Sequence, residues 1–153
     1  MGLILDSSII ISAERRGATV VELLKHVAAV GGDQRAAISA IGLTELAHGV
    51  YRARSASSQK IRKTFLFELL EVVGVCPYTK ETALLAGRID GEQRSRGVTI
   101  PLGDLLIAAT ALEVGYSVLT ENVRHFHLVP GVVSVELRRI ANGLLRFRAT
   151  RKN

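Results

Sequence analysis

The stretch Pro101–Asn122, "PLGDLLIAATALEVGYSVLTEN", carries the plan of the fold. A turn through Pro101 and Gly103 delivers an acid, Asp104, at the mouth of a compact apolar helix. Gly115 closes that helix, as glycine does where a helix ends in the left-handed conformation. Ala108, Ala109 and Ala111 carry so little bulk that the helix can lie close against a sheet. "YSVLT" then reads as a short buried strand, and "ENVRHF" as a turn or short helix.

The same alternation runs outward in both directions. "LIL" at 3–5 is a buried strand, 7–15 and 18–30 have helical spacing, and Val20, Leu23, Leu24 and Val27 make one apolar stripe. After the break "GGD" at 31–33, "AAISAI" at 36–41 reads as a second buried strand and "LTELAHGVYRA" as a helix. The polar joint "SASSQ" at 55–59 suits a helix N-cap, ahead of the amphipathic "KIRKTFLFELLEVV", which stops near Gly74. "VCPY" is a short strand before Pro77. "KETALLAGRIDGEQRSRG" is a helix with Leu84, Leu85 and Ile89 expected inward, and "VVSVEL" is the last strand. Strands alternating with helices imply a short parallel sheet flanked by helices, an α/β domain.

A chain of 153 residues with 48% hydrophobic content suits one domain with a full core. The single Cys76 excludes an internal disulfide framework and reads as a small buried hydrophobe. No run approaches ~18 apolar residues and no signal peptide precedes the first strand, so a soluble cytoplasmic protein without membrane contact is expected. The net charge of +6 is concentrated: Arg138, Arg139, Arg146, Arg148, Arg151 and Lys152 face no acid after residue 137, and residues 1–137 are formally neutral. The expected organisation is a domain over 1–137 and a basic tail over 138–153. The tail suits either phosphate backbones or plain solvation.

In a parallel sheet, ligands bind beyond the carboxyl ends of the strands. Asp6 follows the first strand, Glu45 opens the helix after the second, Asp104 opens the compact helix, and Thr120, Glu121 and Asn122 follow "SVL". Singly, each acid has a plainer role: Asp6 and Asp104 as helix caps, Glu45 at the positive end of a helix dipole. Together they would repel one another at one sheet edge, a penalty that a divalent cation removes. Mg²⁺ takes oxygen ligands and keeps several waters. Such a centre can cut a phosphodiester.

Other chemistries lack their signatures. There is no GxxxxGK[ST] loop, GxGxxG fingerprint or GxSxG elbow. His125 and His127 have no Cys or His partners at zinc spacing and read as ordinary surface or loop residues. His48 lies three residues after Glu45, a conceivable ligand pair without a second copy. A phospho-acceptor receiver would want an acidic pair where Ser7 and Ser8 flank a single acid, and a lysine that "SVLTEN" does not have.

"LILDSSIIIS" at 3–12, "ISAIGLTELAHGV" at 38–50 and "IPLGDLLIAATALEVGYSVLTENVRHF" at 100–126, in that order, resemble the PIN-domain family, specifically the VapC-type toxins of bacterial toxin–antitoxin pairs. The resemblance spans residues 3 to about 135. It implies a three-layer α/β/α fold and a metal-dependent endoribonuclease, with Asp6, Glu45 and Asp104 as the metal-binding acidic centre. Mg²⁺ is the implied cofactor, with Mn²⁺ as the alternative. Thr120 resembles the hydroxyl usual two residues before a fourth, often acidic position, which here is Asn122 and supplies no charge. The implied partners are RNA, a cognate VapB-like antitoxin over the acidic groove, and a second copy of the chain. The alternative from the missing fourth acid and the basic tail is a non-catalytic RNA- or protein-binding module. A structure-specific DNA nuclease ranks last, because three acids are fewer than that branch usually carries.

Overall fold

The computed structural model describes residues 1–139 and 145–150, with side-chain surroundings through Leu137. In chain order the elements are β1 (Gly2–Leu5), α1 (Ser7–Arg15), α2 (Val20–Gly31), β2 (Arg35–Ser39), α3 (Ala40–Tyr51), α4 (Ala56–Leu70) and β3 (Gly74–Cys76). They continue with α5 (Lys80–Ser95), α6 (Leu102–Val114), β4 (Ser117–Thr120), α7 (Val123–Phe126), β5 (Ser134–Arg139) and β6 (Leu145–Thr150). The sheet order is β3-β2-β1-β4-β5-β6; the first five strands are parallel and β6 pairs antiparallel with β5.

The strand alternation of β1 divides the core. Leu3 and Leu5 pack on one face with Ile9, Ile10, Leu23, Leu46 and Leu69. Ile4 packs on the other with Ile89, Ile107, Ala108 and Ala111. In β4, Leu119 joins the first cluster and Val118 the second. The result is three layers: helices, sheet, helices. Fully burying a side chain such as Ile4 or Leu5 stabilises by about 1.5–3 kcal/mol, so this central pair of strands anchors the sheet.

The topology also locates the crevice. The chain moves from β1 to β2 and β3 on one side, then crosses back to lay β4 against the other edge of β1. That reversal is the switch point at which open α/β sheets bind ligands. Leu5 stands opposite Leu119, and the Asp6 N–H donates to the Leu119 carbonyl at 2.9 Å, so the two strands end level beside the crevice.

Several expectations need correction. The second strand stops at Ser39 rather than 41, because the Ser39 hydroxyl caps α3 by accepting the Gly42 N–H at 2.9 Å. Ala40 and Ile41 are therefore helical. Ser55 caps α4 as the joint at 55–59 suggests, but the helix starts at Ala56, ahead of the expected Lys60. Leu84 is 68% exposed, while Ile89 is buried as expected and Leu85 partly covered; α5 also turns Thr82, Ala86 and Gln93 inward. Cys76 is half-buried on an edge strand and packs against the margin of the core rather than inside it. β5 runs through Arg138 and Arg139, and β6 pairs Leu145 through Thr150 back onto it. Arg151 and Lys152 lie outside the described residues.

Candidate active site

Asp6 is the residue immediately after β1 and the first flanking residue of α1, yet its side chain makes no cap hydrogen bond. It is 4% exposed and accepts two hydroxyl donors on the same oxygen. Ser8 donates to Oδ2 at 2.6 Å, and Thr120, at the end of β4, donates to Oδ2 at 2.7 Å. Thr120 Oγ1 also accepts the Asn122 N–H at 2.9 Å, and Ser8 Oγ accepts the Glu121 N–H at 3.2 Å. Two hydroxyls thus tie the ends of β1 and β4 to one carboxylate and leave Oδ1 clear of both.

Glu45 is not in the first turn of its helix, because α3 begins at Ala40. The dipole explanation for this acid therefore falls away. Its Oε2 accepts from Ser7 at 2.6 Å, which turns it toward the end of β1. On the far side stands α6: a β-carbon at Gly103 would lie 2.7 Å from Glu45 Oε1, so only glycine leaves room for the carboxylate there. Asp104 follows within the first turn of α6. Pro101 holds the cap position, so Asp104 is not a cap either. Asp104 Oδ2 is instead 2.7 Å from His125 Nδ1.

Asp6, Glu45, Asp104 and Asn122 line one open groove with Ser7, Ser8, Glu121, Arg15 and Arg16. Burial pushes the Glu45 carboxyl above its ordinary value; the Ser7 hydrogen bond opposes this, and the charges of Asp6 and Asp104 add to it. Burial likewise raises Asp104, opposed by His125 and reinforced by Asp6. The three acids therefore sense each other across the groove.

A match to the family model of the PIN domain covers residues 3–132. The chain belongs to the PIN-domain family. Within it, Ribonuclease VapC1 of Rickettsia felis is 36% identical over 132 residues, 86% of this chain and 93% of that protein. Ribonuclease VapC of Rickettsia bellii is 33% identical over 130 residues, covering 85% and 92%. Among solved structures, VapBC2 from Rickettsia felis bound to a promoter DNA fragment has a TM-score of 0.79 at 21% identity, covering 90% of this chain and 100% of that one. DNA-bound VapBC from Salmonella typhimurium has a TM-score of 0.74 at 22% identity, covering 88% and 96%. These structural matches share the fold.

The donor set of this PIN domain suits a hard, oxygen-seeking cation: three carboxylates, hydroxyls behind two of them, and repulsion that a positive charge relieves. Among the described residues, no three His, Cys, Asp or Glu side chains close on one point tightly enough to ligate an ion unaided.

His125 is the residue that the sequence pattern does not bring to the site. Besides Asp104, its Nδ1 lies 3.1 Å from Asn122 Nδ2. Its position three residues after Asn122, on the helical turn α7, is the signal that could have placed it there. His48 is exposed on α3 and does not line the groove. His127 does not line the groove either. Among the described residues, no helix is long and apolar enough to cross a membrane.

Proposed function

We propose that this PIN domain is the toxin ribonuclease of a toxin–antitoxin pair, cutting RNA phosphodiester bonds internally with Mg²⁺, or Mn²⁺, at Asp6, Glu45 and Asp104. The observation that carries the proposal is the gathering of these acids at the switch point of the sheet, with burial and mutual repulsion raising Glu45 and Asp104. Relatives named Ribonuclease VapC, at 36% and 33% identity over most of both chains, support the activity. Neighbours solved as VapBC complexes support a VapB-like antitoxin partner, and its seat over the groove is part of the proposal. A homodimer and a cytoplasmic location belong to the same proposal.

Asp6, Asp104 and Glu45 would hold the cation, which when bound offsets their repulsion, polarises a phosphoryl oxygen and lowers the pKa of water. Ser8 and Thr120 fix the Asp6 carboxylate before substrate arrives, so no reorganisation is needed during reaction. Glu45, whose carboxyl burial raises, faces the groove and would take a proton from water there, and Ser7 holds it in place. Asn122, its N–H fixed by Thr120, offers an amide for water or a phosphate oxygen. Arg15 and Arg16 on the lip supply positive charge for the RNA backbone.

A binding-only module is favoured by Asn122 in place of a fourth acid. Purified protein given single-stranded RNA, single-stranded DNA and flap DNA, with Mg²⁺, Mn²⁺ or EDTA, separates the readings. RNA fragments formed only with metal support the ribonuclease. Bound but intact RNA supports the module, and preferential cutting of DNA overturns both.

A further inference from the structure

We infer that His125 is a positioning residue, holding Asp104 in its ligating orientation through a hydrogen bond donated from Nδ1. The inference rests on the proposed metal site and adds to it a residue from a different element.

The geometry decides which tautomer stands there. One ring nitrogen, Nδ1, lies 2.7 Å from Asp104 Oδ2 and 3.1 Å from the Asn122 side-chain amide. A ring nitrogen carries either one proton or one lone pair, never both. If Nδ1 accepted from Asn122, its lone pair would face a carboxylate oxygen at the shorter of the two distances, which is repulsive. If Nδ1 carries the proton, it donates a charge-assisted bond to Asp104, the stronger kind. Asn122 must then turn its carbonyl toward the ring, since two N–H groups cannot face each other. Its amide hydrogens turn away from His125 and can donate elsewhere. One proton on one nitrogen thus sets two neighbours: the carboxylate of Asp104 on α6 and the amide of Asn122 after β4.

The arrangement matches what a metal site needs from its surroundings. Asp104 lies on a helix whose own cap does not engage its side chain. Asp6 is held by Ser8 and Thr120, and Glu45 by Ser7. His125 does for Asp104 what these hydroxyls do for the other two acids. His125 is 36% exposed at its side chain, so truncating it removes the bond without opening the core.

The test is Mn²⁺ binding, read from loss of the free-ion paramagnetic resonance signal, together with RNA cleavage, for the parent, His125→Ala and His125→Asn. Asparagine can place an amide N–H close to where Nδ1 stands. Removing such a supporting partner typically weakens metal affinity about 10- to 100-fold. The expected result is a loss of that order in His125→Ala, near-parent affinity in His125→Asn, and equal melting temperatures in EDTA for all three. Cleavage by His125→Ala should recover as Mn²⁺ is raised. Parent-like Mn²⁺ affinity in His125→Ala overturns the inference and leaves the metal site standing. Equal losses in His125→Ala and His125→Asn overturn it too, because the donated bond would then not be what matters. A parent that binds no Mn²⁺ at millimolar concentration overturns the metal site and the inference with it.

Discussion

Replacing Gly103 by alanine should separate stability from activity, because the new methyl group meets a carboxylate and nothing else. The β-carbon would lie 2.7 Å from Glu45 Oε1, and the next nearest atom is Glu45 Cδ at 3.8 Å. Ordinary contact begins near 3.4 Å, so the carboxylate must retreat by about 0.7 Å. The clashing atom is the far end of a long side chain, so the retreat is cheap for the fold, though it loosens the bond from Ser7. Gly103 sits in the first turn of α6 at an unstrained backbone position, where alanine favours the helix by up to about 1 kcal/mol. In a domain of this size that gain is worth roughly 2–4 °C in Tm. Activity should respond differently. A displacement approaching 1 Å at a reacting group can cost about 100-fold in rate, so a 10- to 100-fold loss of RNA cleavage is expected. The assays are cleavage of a fluorogenic RNA with Mg²⁺ and thermal unfolding in EDTA. Parent-like cleavage would refute a role for Glu45 at that position. A Tm lowered by many degrees would refute the claim that the clash is confined to a side-chain tip.

Thr120→Val keeps the shape but removes one donor to Asp6 and leaves the Asn122 N–H without its acceptor; a loss of about 1–3 kcal/mol in denaturant unfolding is expected. Adding Mg²⁺ should raise the Tm of the parent, by an increment equivalent to about 2.7 kcal/mol at 100 times Kd, and should do much less for Asp104→Asn. The pH dependence comes from the raised carboxyls. A group that holds its proton more tightly in the folded state stabilises below its unfolded pKa, ~4 for Asp and Glu, and loses that contribution as pH rises through the raised folded value. Metal-free Glu45→Gln should therefore gain on the parent as pH rises from ~4 to neutrality. An unchanging difference in unfolding free energy between the two would contradict the shift.

The strand ends are legible in the sequence, and with them the acids that the sheet gathers. A parallel sheet brings Asp6 and Thr120 to one edge whatever the intervening residues, so 114 positions of separation cost the inference nothing. The plainer roles of the acids are harder to judge, because each depends on where a helix starts. Glu45 reads as a first-turn residue, but the Ser39 cap moves the start of α3 back to Ala40. Asp104 reads as a cap, but Pro101 takes that position. Leu84 is expected inward from its type, but α5 turns Thr82 and Gln93 inward instead, and Gln93 donates to the Leu128 carbonyl at 2.9 Å. His125 is hidden because its partner is 21 residues away on another element. Only the approach of α6 to α7 makes them neighbours. The pairing of β6 with β5 is hidden by charge: the arginines that mark a solvated tail also sit on paired strands.

The most direct measurement is RNA cleavage by the parent, Asp6→Asn and Asp104→Asn side by side, with Mg²⁺ and with EDTA, each protein first checked for an intact fold by thermal unfolding. The parent should cut RNA with Mg²⁺ and stop in EDTA, and both variants should be folded and inert. A folded Asp6→Asn or Asp104→Asn protein that cuts RNA as fast as the parent, or a parent indifferent to EDTA, would contradict a metal-dependent centre built on these acids.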